Sequence, residues 1–462
     1  MKEFLKAIII LIEYGALGPL LGLFIARRRN FQRAALALMV FMTSWFPGKL
    51  TLMLDSIELY RGHTKGFEFS LIEVVAIALI VSAAQNRRPG ERRLPPGAWL
   101  YLGYCLLSCL SLIPAMNKVY TLMAAFKFTK AVLIFIGAYQ GLRDQEDLRW
   151  ILHTMAGMLV LQVGVGMKER FVDHMWQVKG WFEHQNPMAM WAYICALPLL
   201  STALARHTSR RDTWVYLVGV AAAAVLVLLS VSRAALAAFV VGSVAVTLLV
   251  ALRGVTLKWT GICALGVLGA VVAGLMALDS VTARFEEASS HQGESDLRAI
   301  LIVQSRAMLH DSFLGVGWNN FGLANSRPAG RYSQILEDWD ASRGFTIYDE
   351  NYHANPLTES LYWLLLAETG YPGFVGYVVF EAATLWWLLR GMIRFWRSPT
   401  GYFVAGVLVG FTIMYGHSTV ERILTQTKNL SLWLILAGVA ARVEQCRRER
   451  HDLPPSWMPD PP

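Results

Sequence analysis

Two arginines stand two helical turns apart in GESDLRAILIVQSRAMLHDS, at positions 298 and 306. With Ile302 between them they recur every four residues. On a helix capped at Ser295, Arg298 and Arg306 therefore leave the same face. Two such guanidiniums suit a diphosphate, because each donates paired hydrogen bonds to phosphate oxygens; the solvated face of an exposed helix has the same spacing. A third arginine, Arg233, separates two apolar runs in LLSVSRAALAAF. A cation there either snorkels to the interface or meets an anion. Downstream, YHANPLTESLYWLLLAETGYPG places His353, Asn355 and Glu359 ahead of an apolar run and Glu368 inside it. Histidine accepts a proton from a hydroxyl near neutral pH, although a lone loop histidine is as readily only solvated. Asn186 precedes Pro187 in GWFEHQNPMAMWAY, where it reads also as an ordinary helix cap. His417, Glu421 and Arg422 close another apolar run in MYGHSTVERIL, readable as a short connecting loop. Glu13, Glu73, Lys127, Lys130 and Glu381 fall within apolar runs and need partners. Lys127 and Lys130 share a helix face, either adding charge to an anion site or neutralising an acid such as Glu73.

These side chains are carried by a chain composed largely for lipid. Of its 462 residues, 55% are hydrophobic and 16% charged, against about 25% charged in soluble domains. Apolar runs near membrane length recur throughout, about 12–13 by the length criterion. The expected fold class is an all-α, polytopic integral membrane protein with one long extracytoplasmic loop carrying helices. Four segments follow: an N-terminal helix bundle over 1–278, the loop over 279–356, C-terminal membrane helices over 357–445, and a basic, proline-rich tail over 446–462. The first run carries Glu13 and lacks a small-residue cleavage site, so it reads as a retained helix. The run over 357–389 is too long for one straight span. Gly370, Pro372 and Gly373 predict a half-helix or re-entrant turn before the true span.

Net charge is +9, with arginine clusters dispersed between the apolar runs, a pattern that argues against a nucleic-acid partner. Short basic loops stay cytoplasmic. That rule puts loops 55–66, 168–187, Ser232-Arg233, 279–356 and 418–428 outside and the C-terminus inside. The five cysteines show neither metal spacing nor a disulfide framework, and no metal site or cofactor is expected.

Four stretches occur in one order: FEHQNPMAMW, SRAAL, LRAILIVQSRAMLHDSFLGVGWNNF and HANPLTESLYWLLLAETGYPG. Together they resemble the O-antigen ligase and O-antigen polymerase superfamily of bacterial membrane glycosyltransferases, over residues 180–373. The resemblance implies transfer of a glycan from undecaprenyl diphosphate to an acceptor hydroxyl at the periplasmic face of the inner membrane, without nucleotide sugar or metal. The acceptor would be lipid A core, a growing glycan or a protein, with membrane lipid as surroundings. Carried onto this sequence, the resemblance puts Arg233 and Arg298 on the diphosphate, joined by Arg306 from the same helix face. His353 falls beside the reacting centre, His353 or Glu421 takes the acceptor proton, and Asn186 and Asn355 contact substrate. Two departures stand out. Glu359 occupies the place where many relatives carry a His-Asn pair, and Ser312-Phe313-Leu314 replaces a proline ahead of Gly315. A different class, a secondary transporter or flippase, would run ions along Lys127, Lys130, Glu73 and Glu381 near mid-membrane.

Overall fold

Gly370 interrupts the longest helix in the protein, with φ 62° and ψ −168°. The computed structural model describes residues 2–45, 51–57, 60, 62–86, 92–269, 292–327, 330–342 and 357–455. His353 and Asn355 lie outside the described residues, as does the whole of 279–291.

The chain begins with α1 (Lys2–Ile12), which passes through a single π turn into α2 (Gly18–Ile25), then α3 (Arg29–Trp45). A hairpin follows, β1 (Thr51–Leu54) antiparallel to β2 (Phe67–Ser70), with Thr51 opposite Ser70 and Leu54 opposite Phe67. The apolar run near 67–84 is thus a strand first and helix only from Leu71. Ser70 switches it: its hydroxyl accepts from the Ile72 amide at 3.3 Å while the Glu73 carboxylate accepts from the Ser70 amide at 2.9 Å. This reciprocal cap fixes the start of α4 (Leu71–Gln85). The bundle continues through α5 (Ala98–Cys109), α6 (Lys118–Lys130), α7 (Val132–Gly141), α8 (Gln145–Phe171), α9 (Gln185–Ala203), α10 (Arg210–Leu229) and α11 (Arg233–Ala251). After α12 (Leu257–Gly269) come α13 (Gln292–Asp311), α14 (Phe321–Ala324), α15 (Ser333–Ser342), α16 (Leu361–Arg394), α17 (Pro399–His417) and α18 (Thr427–Arg448). Helix α13 starts ahead of Ser295, which is therefore inside it rather than its cap.

Among the described residues, seven helical stretches are long and apolar enough to cross a membrane: 2–25, 118–141, 145–171, 210–229, 233–251, 361–394 and 399–417. Three shorter apolar helices accompany them, Leu71–Gln85, Ala98–Leu112 and Leu257–Gly269. The protein is an all-α, multi-pass membrane protein apart from its small hairpin. Helix α9 runs through the middle, buried at every residue from Pro187 to Ala203. A helix enclosed on all sides is held by packing rather than by an amphipathic stripe.

Four of the charges inside the apolar runs, Glu73, Lys127, Lys130 and Glu381, have partners. Lys130 pairs with Glu73, which also accepts from the Tyr14 hydroxyl at 2.6 Å. Lys127 lies 3.2 Å from Glu68, which accepts from the Thr427 hydroxyl at 2.6 Å. The Tyr362 hydroxyl donates to Glu381 at 3.1 Å. Of the two readings open to the lysine pair, local neutralisation is the one observed.

The break at Gly370 is a joint. The Tyr371 amide donates to Phe313 O at 3.1 Å, and the Val316 and Gly317 amides donate to Ala367 O and Glu368 O at 2.9 and 3.1 Å. A Cβ on Gly370 would lie 2.2 Å from Phe313 O. Glu368 is buried at the centre, accepting from the Asn319 and Phe321 amides at 2.9 and 3.1 Å, with His63 Nε2 at 2.9 Å. A buried carboxylate is tolerated only with such compensation. GVGWNNF and AETGYPG are accordingly the two halves of one contact, which seats α13–α15 on the bundle.

The loops sort into two ends. At one end lie the hairpin, residues 172–184, the turn at 230–232, α13–α15 and residues 418–426. They are tied by bonds such as Val178 N to Leu229 O at 3.2 Å and Leu361 N to Ser418 O at 3.0 Å. At the other lie the arginine-rich turns, where Arg33 meets Asp144 at 2.9 Å and Arg253 donates to Gly401 O at 3.2 Å. These sets agree with the alternation of loops expected from charge.

Candidate active site

The hairpin end gathers polar side chains from four separate stretches. Helix α9 begins at Gln185, with the His184 ring accepting from the Asn186 amide at 3.5 Å. His184 is therefore the cap, which frees the Asn186 side chain to act elsewhere. It donates through Nδ2 to Glu421 Oε1 at 2.7 Å. Glu421 stands in the connection between α17 and α18, its amide bonded to His417 O at 3.1 Å. Arg298 arrives from α13: it pairs with Glu359 through Nε, and its NH2 lies 3.9 Å from Glu421 Oε1. Two turns on, the Arg306 guanidinium lies 5.2 Å above the Trp363 ring. Both arginines thus face the start of α16, as their spacing requires.

Arg422 completes the cluster and was not among the residues assigned a role from the sequence. It is half-buried, and its NH1, itself buried, has no hydrogen-bond partner among the described residues. Burial pulls its guanidinium below the usual arginine range, opposed by the charges of Glu359, Glu421 and Glu368. The only sequence signal for it is adjacency to Glu421 at the end of an apolar run. Burial likewise holds the His184 ring below the usual histidine value. Glu421 moves the other way. Burial first, then the negative charge of Glu359, pushes its carboxyl up to about 7, against the pull of Arg298, Arg422 and Asn186. Its side chain retains 14% exposure, so it is reachable. A reachable carboxyl titrating near neutrality is a competent proton acceptor.

Arg233 is the first residue of α11, after Ser232, whose hydroxyl accepts from the Ala235 amide at 3.5 Å. Its side chain is exposed, at the same end of the bundle as Asn186. Helix α11 packs on α9 and α17, the helices that present Asn186 and lead into Glu421. Among the described residues, no contact joins Arg233 to Arg298. The arrangement therefore brings together Asn186, Arg298, Glu359, Glu421 and Arg422, with Arg306 on the flank. Among the described residues, no group of His, Cys, Asp and Glu has the makings of a metal site.

Residues 218–378 match the O-antigen ligase family model. This match supports the O-antigen ligase and polymerase superfamily for that segment. The matched segment runs from α10 into α16 and holds Arg233, Arg298, Arg306 and both halves of the Gly370 joint. Asn186, Glu421 and Arg422 lie outside it, so the O-antigen ligase segment supplies one wall of the cluster and the flanking helices the other. No curated protein matches the chain. The family supports a membrane-bound, glycan-transferring ligase or polymerase, acting on a lipid-linked glycan and an acceptor.

Proposed function

We propose that the protein transfers a glycan from undecaprenyl diphosphate to an acceptor hydroxyl at the periplasmic face of the inner membrane. Glu421 takes the acceptor proton, and arginines hold the diphosphate. The observation that carries this reading is the contact set around Glu421. Asn186 fixes one carboxylate oxygen, guanidiniums stand beside it, and burial tunes it to about 7. In the step, the acceptor oxygen bonds to the anomeric carbon and its proton passes to Glu421. The bond from that carbon to the diphosphate oxygen breaks, leaving undecaprenyl diphosphate. Charge grows on the leaving phosphate, where fixed cations stabilise the transition state more than the ground state.

Arg298 and Arg422 are placed to meet that charge, with Arg306 and Arg233 as further contacts to the lipid diphosphate. Pairing of Arg298 with Glu359 keeps it oriented before substrate arrives, and the diphosphate then competes with Glu359 for it. Arginines, rather than a bound metal, supply the positive charge, so transfer persists in chelator. His353 and Asn355, assigned from the resemblance to the reacting centre and substrate, keep those places in the proposal. Lipid A core, a growing glycan and protein remain the acceptor classes; the C-terminus is cytoplasmic.

The test is transfer in vesicles that contain the purified protein, lipid-linked donor and acceptor. Glu421→Gln is expected to insert and elute normally while losing transfer. Full transfer by that variant, with loss in His353→Ala instead, would move the base to His353.

A further inference from the structure

At the opposite end of the bundle, a cavity of about 650 Å³ opens between the loop ahead of α5, the last turns of α16 and the end of α18. Arg92, Arg93 and Arg448 line it together with Trp99, Trp386 and Trp387. The loop is seated by Gly97, whose φ of +85° lets the backbone approach Trp387 where a Cβ would lie 2.1 Å from the indole. Gln140 Nε2 bonds to Arg93 O at 2.6 Å and holds the loop from below. The cavity is thus built by the fold rather than left between mobile side chains.

Among the described residues its positive charge is in excess. Glu444 accepts from Arg447 at 2.7 Å and from Arg448 at 2.8 Å, and Arg390 lies 3.9 Å away, so three arginines share one carboxylate. The side chains of Arg92 and Arg93 are exposed and make no ion pair among the described residues. Trp99 and Trp386 are 73% and 55% exposed beside them, in the first turn of α5 and about two turns before the end of α16. Indole rings in that position sit at headgroup depth. A cavity lined by both cations and interfacial indoles fits a phosphate that carries acyl chains.

We propose that this cavity binds the headgroup of an anionic phospholipid in the leaflet facing the basic end. Arg92, Arg93 and Arg448 hold its phosphate and the tryptophans flank its chains. A free phosphate would use the cations and leave the indoles idle. The site is separate from the glycan-transfer cluster and stands whether or not that reading holds.

Native mass spectrometry of the full-length protein tests it, using nanodiscs of phosphatidylcholine doped with phosphatidylglycerol or cardiolipin. The wild type is expected to retain the anionic lipid. Arg92→Gln/Arg93→Gln is expected to retain it more weakly, by about fivefold for each arginine removed. Trp99→Phe/Trp386→Phe should shorten retention of lipid without altering any response to inorganic phosphate. Four results would overturn the proposal: no retention by the wild type, equal retention of phosphatidylcholine, unchanged retention by the arginine variant, or displacement by inorganic phosphate alone. The arginine side chains support no packing, so an unchanged melting temperature in pure phosphatidylcholine confirms that the variant is folded.

Discussion

The two ends of the bundle both concentrate arginine, yet they differ in what stands beside it. At the hairpin end, Arg298 and Arg422 meet Glu359 and Glu421, and Asn186 and His184 close the set. At the basic end, Arg390, Arg447 and Arg448 share Glu444, and Arg92 and Arg93 add charge with no ion pair among the described residues. A guanidinium with a matched carboxylate makes a site that can exchange a proton and then receive an anion. A guanidinium in excess only attracts one. Composition places arginine at both ends; the neighbouring acid decides between chemistry and adhesion.

The strongest way to break that contrast is Glu421→Gln, which keeps the shape and removes the base. Transfer is expected to fall by about 10²–10⁴. Because Glu421 must be ionised to accept a proton, wild-type kcat/KM is expected to rise tenfold per pH unit below about 7 and level above it. A profile in Glu421→Gln that keeps the same rise would assign the titration to another group. Stability runs the opposite way. The folded carboxyl holds its proton more tightly than an ordinary one of 4.5, so ionisation weakens the fold as pH rises from there through about 7. The melting temperature should decline over that window in the wild type and less in the glutamine variant.

Next in size is Arg298→Ala, expected to cost about 10²–10³ in transfer, as for loss of one donor to a developing oxyanion. Lysine there should recover only part, since it lacks the paired geometry. Equal rates for alanine and wild type would leave the cation a structural ion pair with Glu359.

Gly370→Ala tests whether the hairpin-end cluster depends on the joint that seats α13. Forcing a side chain into that backbone region costs about 1–3 kcal/mol, and the Cβ would also strike Phe313 O. A lowered melting temperature is expected, against little change for Gly103→Ala, where nothing lies within 4 Å of the added atom. The smallest effect belongs to Arg306→Ala. Loss of its contact with Trp363 is worth about 0.5–1 kcal/mol. It should raise the KM for donor a fewfold and leave kcat near wild type, whereas a drop in kcat would move Arg306 into the reacting centre.

The resemblance found in the four ordered motifs agrees with the family match, and the place of each motif has a physical reason. SRAAL is a cap and first turn, with Ser232 bonded to Ala235. The glycines of GVGWNNF and AETGYPG permit the close crossing at which Glu368 binds the opposing amides. Asn186 shows where reading alone falls short: its position before proline suits a cap, but His184 takes that role. Arg422 escaped assignment because an arginine in a short loop looks solvated until the surrounding helices are in place.

Sequence alone determined the lipid-suited helices, their loop alternation, the break at Gly370 and the common face of Arg298 and Arg306. All of these rest on hydropathy, charge or backbone preference within a few neighbouring residues. Only the tertiary structure decided that Asn186 and Glu421, 235 positions apart, share a hydrogen bond. It also decided that Lys130 pairs with Glu73, and that Glu421 titrates near neutrality. Partner choice between distant side chains and the removal of water around a carboxyl are properties of packing, which no local pattern encodes.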